Sequence, residues 1–238
     1  MEEELLSPED FPSLTELDCI RIQEELACRV VQKDDFGAPL PRTVAGVDLA
    51  YWQEGEEERA VCCIVVLDRE SRSVLEKAEA HGTVRFPYLP GCFAFRELPL
   101  VLEAAAGLRE RPGLFLFDGN GVLHPRRLGL ASHASFYLEA PAMGVAKHYY
   151  RVPGAEPPLL GDAPGSQADI VAEGKILGRA LRTHAGVKPV FVSVGDGISL
   201  DTAAQLALAL TGPESHIPAP TRLADLETHL WREKLRNE

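Results

Sequence analysis

The sequence predicts an α/β protein with a mixed central sheet flanked by helices, and three observations carry that reading. Residues 44–52, 59–68 and 74–84 are apolar, β-branched runs joined by short polar turns, the pattern of an antiparallel meander. Two later runs, LFLF at 114–117 and PVFVSVG at 189–195, are short and continuously apolar, as in strands buried on both faces. Between and after these runs lie longer stretches with apolar residues at helical spacing.

A chain of 238 residues, 45% hydrophobic and 25% charged, suits one domain over 1–238, with residues 1–12 expected to be a flexible acidic start. No apolar run approaches the ~20 residues of a membrane span. The opening MEEELLSPED lacks the basic and apolar parts of an export signal, so a cytoplasmic location is expected. Five cysteines without CxxC spacing read as small buried hydrophobes rather than disulfides or zinc ligands. A net charge of -12 counts against avid non-specific nucleic-acid binding, because counterion release favours basic surfaces. The acid is concentrated in residues 1–18 and 54–58, however, while Arg126, Arg127, Lys147 and Arg151 bring cations to the middle of the chain. Modest, salt-sensitive nucleic-acid affinity is the expectation.

In chain order, residues 14–33 read as an amphipathic helix outside the sheet. Asp48 then stands inside an apolar strand, where a charge needs a cationic partner or a metal. Pro87 and Pro90 stiffen a loop that presents Tyr88. A helix follows from residue 95, with Glu97 near its start and Pro99 tolerable only in its first turn. Asp118 ends the LFLF strand, the place in an open α/β sheet where ligands collect. Gly119, Gly121 and Gly129 leave bare main chain around it, and His124-Pro125-Arg126-Arg127 adds an imidazole and two cations. Residues 130–139 suit a short helix, 143–146 a strand ending at Lys147, and 152–164 a proline-rich surface excursion. Residues 170–183 suit a strand pair turning at Gly174-Lys175, which lacks the preceding glycine of a phosphate-binding loop. Asp196 follows the last strand, before helices over 199–210 and 221–236.

Three antiparallel strands followed by alternating helices and strands, with acids at Asp48, Glu97, Asp118 and Asp196, resemble the ribonuclease H-like fold. Clustered carboxylates raise one another's pKa and need cations to stay ionised. An oxygen-only ligand set favours Mg²⁺, with Mn²⁺ as a substitute. Two such ions activate water on one side of a phosphodiester and stabilise the leaving oxygen on the other.

The motifs VAGVDLAYW around Asp48, PYLPGCFAFRE ending at Glu97, DGNGVLHPRRLGLASH from Asp118, GVAKHYY from Gly144, VSVGDGISLDTA and IPAPTRLADL together resemble the endonuclease V family over most of the chain. The resemblance implies a metal-dependent endonuclease that recognises deaminated adenine, as deoxyinosine in DNA or inosine in RNA. It implies hydrolysis of the second phosphodiester 3′ to the lesion, leaving 3′-hydroxyl and 5′-phosphate ends. Carried onto this chain, it makes Asp48, Asp118 and Glu97 metal ligands, with Asp196 standing where many members have histidine. Lys147 and His124 are expected to act on the scissile phosphate and the attacking water. Pro87, Tyr88, Leu89 and Pro90 are the expected wedge, while Gly91, Phe93, Gly119, Gly129 and Arg96 are expected to contact the substrate. Tyr150 falls where a smaller aliphatic residue is expected. The expected partners are inosine-containing DNA or RNA, with no membrane and no obligate protein partner. A non-cleaving inosine-binding protein is the alternative.

Overall fold

The structure is a computed structural model that describes residues 5–37 and 39–237. Its centre is an eight-stranded sheet of β1 (Thr43–Glu54), β2 (Glu57–Asp68), β3 (Val74–Thr83), β4 (Phe115–Phe117), β5 (Ala142–Ala146), β6 (Gln167–Ala172), β7 (Lys175–Leu181) and β8 (Val190–Asp196). The spatial order is β3-β2-β1-β4-β5-β8-β7-β6. The first three strands form the expected antiparallel meander. β1, β4 and β5 run parallel, and β8, β7 and β6 return antiparallel. Helices α1 (Glu16–Ala27), α2 (Phe93–Ala106), α3 (Leu130–Leu138), α4 (Leu200–Ala209) and α5 (Ala219–Leu235) flank the sheet.

Strand alternation divides the core. Phe115 and Phe117 join Val47 and Ile64 in a cluster with Phe95 and Leu98 of α2. Leu114 and Leu116 point the other way, into a cluster with Val44, Val65, Leu206 of α4 and Ala224 of α5. The continuous apolar LFLF run is thus a strand covered on both faces. α5 lies close along β1: a Cβ on Gly46 would fall 2.0 Å from the Pro220 backbone. Only glycine permits that approach.

Three expectations change. The first helix ends at Ala27 instead of reaching residue 33, and the following chain bonds to the far end of β8 through Val31 and Gly197. Pro99 lies inside α2, in its second turn rather than its first. It removes the donor for the Phe95 carbonyl, at a typical cost of about 3 kcal/mol, and the buried Leu98, Leu100 and Val101 side chains offset that cost. The acidic start is not loose as far as residue 12: Pro8–Ser13 forms a 3-10 turn capped by Ser7. Phe11 is fully buried there, with its ring edge-on to Phe95 at 5.1 Å. Residues 1–4 lie outside the described residues. Among those described, no helix is long and apolar enough to cross a membrane.

Phe11→Ala is expected to destabilise the protein by about 3–5 kcal/mol, the usual range for emptying a buried aromatic site. Urea unfolding checks this; a change below about 1 kcal/mol would mean that the N-terminal turn is not part of the cooperative core.

Candidate active site

β4 and β5 are adjacent parallel strands, so the residues that follow them, Asp118 and Lys147, emerge at the same edge of the sheet. The Lys147 ammonium lies 2.6 Å from Asp118 Oδ2 and 3.4 Å from Asp225 Oδ1, the latter on α5. Asp48 projects from β1 toward α5, where the Thr228 hydroxyl is 3.5 Å from its Oδ2. Three carboxylates from β1, the end of β4 and α5 therefore surround one lysine.

Burial pushes the Asp48 carboxyl up to about 7, with the negative charges of Asp118 and Asp225 adding to the effect and Lys147 opposing it. Burial also works against the Lys147 charge, but its bond to Asp118 and the surrounding acids outweigh it and raise the ammonium pKa. Glu97 reaches the region from α2, on the face of β1 that carries Tyr51 rather than Asp48. Burial pushes its pKa up to about 8; the Tyr51 hydroxyl donates to its Oε1 at 2.7 Å and lowers it in part. Among the described residues, no three His, Cys, Asp or Glu side chains form a ready-made metal cage. The donor chemistry nevertheless fits a hard divalent cation: all the donors are carboxylate oxygens, and the one ammonium of the cluster is bonded to Asp118 and Asp225, which leaves Asp48 short of positive charge.

Beside this cluster lies a cavity of about 460 Å³, lined by Tyr88, Leu89, Pro90, Gly91, Phe93, Asp118, Gly119, Asn120, His124, Leu128, Gly129 and Tyr150, among others. Asp118 belongs to both cavity and cluster. The Asn120 amide oxygen is buried without a partner among the described residues. A larger cleft of about 800 Å³, between the N-terminal 3-10 turn and α2, contains none of the clustered acids.

Tyr88 stands out from the cavity mouth with 68% of its surface exposed, and its ring is edge-on to Phe93. The loop carrying it is pinned at Gly91. That residue has φ +77°, and its carbonyl accepts from Gln23 Nε2 at 2.9 Å, Arg126 Nη2 at 2.6 Å and His124 Nε2 at 3.0 Å. Gln23, buried on α1, also donates to Leu128 and accepts from Arg126 Nε. One amide thus ties α1, the Tyr88 loop and the Asp118 loop together.

The structure relocates several sequence assignments. Asp196 is not in the cluster: it pairs with Ala142 at the start of β5, whereas Phe191 pairs with Ala146 at the end where Lys147 emerges. Because β8 runs antiparallel to β5, the acid at its end lies at the opposite edge of the sheet, where it accepts from the Val31 N–H at 2.6 Å. The acid in its expected place is Asp225, which the mixed charge of the last helix concealed. His124 has both ring nitrogens engaged, Nε2 on Gly91 and Nδ1 accepting from the Arg126 N–H at 3.2 Å. Burial, reinforced by Arg126, pushes its pKa down to about 4. Its ring forms part of the cavity wall and stacks parallel to Tyr150. Arg96 turns away from the cavity to pair with Glu58, donate to the Phe86 carbonyl at 2.8 Å and lie over the Tyr51 ring. The bareness of Gly129 serves packing, since a Cβ there would lie 2.4 Å from the Asn120 carbonyl oxygen. A Cβ on Gly119, by contrast, would meet only the Leu130 side chain, at an ordinary contact distance of 3.9 Å.

A mixed sheet ordered in this way, with acids from its first strand, its fourth strand and its last helix, defines a ribonuclease H-like nuclease fold. The Endonuclease V family model matches residues 24–226, and the chain belongs to that family. It is 44% identical over 215 residues to endonuclease V of Bacillus thuringiensis subsp. konkukian, covering 90% of this chain and 92% of that protein. The crystal structure of the Bacillus subtilis protein matches with a TM-score of 0.92 at 41% identity, over 98% of this chain and 99% of that one. A Ciona intestinalis endonuclease V, solved in complex with a 24mer DNA containing an inosine followed by a ribo-adenosine, matches with a TM-score of 0.80 at 29% identity. That match covers 90% of this chain and 95% of that one.

Two outcomes follow from this geometry. Gln23→Leu is expected to cost about 1–3 kcal/mol in urea unfolding and to speed hydrogen exchange of the amides in residues 88–92; unchanged exchange would show that the loop is anchored elsewhere. The second concerns pH. The folded state retains protons on Asp48 up to about 7 and Glu97 up to about 8, whereas ordinary carboxyls release them near 3.8 and 4.5. These groups therefore stabilise at low pH and lose that contribution as pH rises through 7 and 8. His124 and His133, pushed down by burial to about 4 and about 3, work in the opposite direction up to their ordinary 6.5. In chelator, stability is expected to decline mainly between about pH 6.5 and 8, with a shallower decline for Asp48→Asn in thermal melts.

Proposed function

We propose that this protein is a metal-dependent endonuclease that recognises hypoxanthine in DNA or RNA and hydrolyses the second phosphodiester on its 3′ side. The observation that carries the reading is the sharing of Asp118 between the carboxylate cluster and the cavity. A base held in the cavity leaves its own strand running past Asp48, Asp118 and Asp225. The inosine-containing DNA of the Ciona relative supports the same substrate class.

Hypoxanthine presents an N1–H donor and an O6 acceptor, and adenine reverses both polarities. A fixed, partly buried wall discriminates because each mispaired buried group costs about 1–3 kcal/mol. Extruding the base costs a few kcal/mol, less at a weak inosine pair. Tyr88, held on a loop stiffened by Pro87 and Pro90 and pinned at Gly91, is positioned to stack where the base departs.

Asp48, Asp118 and Asp225 would hold Mg²⁺ or Mn²⁺, with Glu97 behind them. The bound cation supplies Lewis acidity and lowers the pKa of water. Lys147 holds Asp118 and Asp225 in place and offers its ammonium to a phosphate oxygen. Water adds to phosphorus as the bond to the 3′ oxygen breaks, and the products are a 3′-hydroxyl and a 5′-phosphate. A cytoplasmic setting is part of this proposal.

End-labelled strands with one inosine, as DNA, RNA or DNA with a ribose beside the lesion, are expected to be nicked in Mg²⁺ or Mn²⁺ and left intact in EDTA. Asp118→Asn and Asp48→Asn should each lower kcat by at least ~10²-fold, in the range of losing one preorganised electrostatic group. Divalent cation should also flatten the stability decline above pH 6.5. Lesion-specific binding by folded protein without a nick in either metal would replace the enzyme with a non-cleaving reader.

A further inference from the structure

α5 does not end its path at the carboxylate cluster. From Pro220 against Gly46 it passes Thr228 beside Asp48 and continues to Trp231 and Leu235, which pack against Ala50 and Trp52. It therefore follows β1 beyond the cluster. Asp225, His229, Arg232 and Arg236 recur at helical spacings of four, three and four residues, so they share one stripe. His229, Arg232 and Arg236, with Glu233 and Asn237, line an open groove at the end of this helix.

His229 lies 3.8 Å from Asp225 Oδ1, but among the described residues neither arginine of this stripe is paired with an acid, unlike many other cations of the protein. Arg59 pairs with Glu54, Arg179 with Asp169 and Asp201, and Arg182 with Asp162. Among the described residues, Arg236 has no side-chain partner, and the only one for Arg232 is the His229 ring at 3.5 Å. Among the described residues, Glu233 is the single acid lining the groove. The span from Asp225 to Arg236, eleven residues at ~1.5 Å each, is about 16 Å. That is on the order of five phosphates of one strand at ~3.4 Å of axis apiece.

We propose that the His229–Arg232–Arg236 stripe of α5 is a rail for the phosphates of the bound strand, starting one helical turn beyond Asp225. The inference rests on the nuclease reading above. It adds how a chain with net charge -12 grips a polyanion: its charge is segregated, and the gripping cations lie on the helix that supplies Asp225 to the cluster. A purely local explanation exists, since basic residues in a last helical turn also favour the helix dipole. That role acts on stability alone and does not release counterions from DNA.

The test is binding of the full-length protein, in EDTA, to a labelled single strand of DNA carrying one inosine, across about 50 to 200 mM salt. Arg232→Gln combined with Arg236→Gln is expected to shrink the slope of log K against log salt by about 1.4, or ~0.7 for each lost phosphate contact. Affinity should fall several-fold at the low-salt end, equally for inosine and adenosine strands. Lys33→Gln, at the opposite sheet edge near Asp196, should leave the slope unchanged. An unchanged slope in the double variant overturns the rail, as does a fall in melting temperature without a change in slope. Failure of the wild type to nick inosine strands in Mg²⁺ or Mn²⁺ would sink the nuclease reading instead, and the slope comparison would still decide the rail.

Discussion

The central constraint is the cost of placing carboxylates inside a packed sheet. Asp48 occupies a position in β1 where its neighbours are apolar, and Glu97 is buried against Tyr51. Glu97 is shut off from water and Asp48 is half-buried, and the ammonium of Lys147 is bonded to Asp118 and Asp225. The two acids consequently hold their protons to near neutrality and above. A structure whose only requirement was stability would place apolar residues there. The arrangement is intelligible as a receptor for positive charge, stabilised by the rest of the fold: the meander fixes β1, β4 and β5 set Asp118 and Lys147 side by side, and the close approach at Gly46 brings α5 with Asp225 down onto the strand.

A second constraint concerns rigidity at the mouth of the cavity. An exposed ring such as Tyr88 separates bases only if its loop resists being pushed back. The two prolines restrict the loop, but its attachment comes from Gly91, whose carbonyl receives three donors from α1 and from the loop after β4. Gln23 and Arg126 meet there although more than a hundred residues separate them in sequence. His124 contributes to the same junction as a neutral donor. Its imidazole forms part of the cavity wall.

Much of the architecture was legible because hydrophobic periodicity reports burial directly. The meander, the doubly covered LFLF strand and the strand pair, read as turning at Gly174-Lys175 and found to turn one residue earlier at Glu173-Gly174, all follow from runs of side chains that have no alternative partner. Boundaries were less legible. Pro99 reads as a first-turn residue because its missing donor is harmless there, yet α2 starts earlier and tolerates it through the burial of its neighbours. In the site, Asp48 and Asp118 were legible as acids attached to apolar strands. Asp196 satisfied the same local rule and was misplaced by it, since the rule omits strand direction. Arg96 looked like a substrate group because it is a polar residue inside a dense motif, but its side chain turns away from the cavity to Glu58 and Phe86, whereas His124 does line the cavity.

The sequence by itself determined the class of fold, the acids of the two central strands, the stiff aromatic loop and, through its long motifs, membership of the endonuclease V family. These properties reside in local pattern: periodicity, proline positions and the order of residues along one segment. Tertiary structure alone decided which acids meet. Asp225 rather than Asp196 joins the cluster because antiparallel pairing sends the end of β8 to the far edge of the sheet, while α5 crosses back over β1. It likewise decided that Gln23 anchors the cavity loop and that Asp225, His229, Arg232 and Arg236 share one stripe of the last helix. Convergence of side chains depends on the direction and packing of distant segments, and no single stretch of chain encodes that.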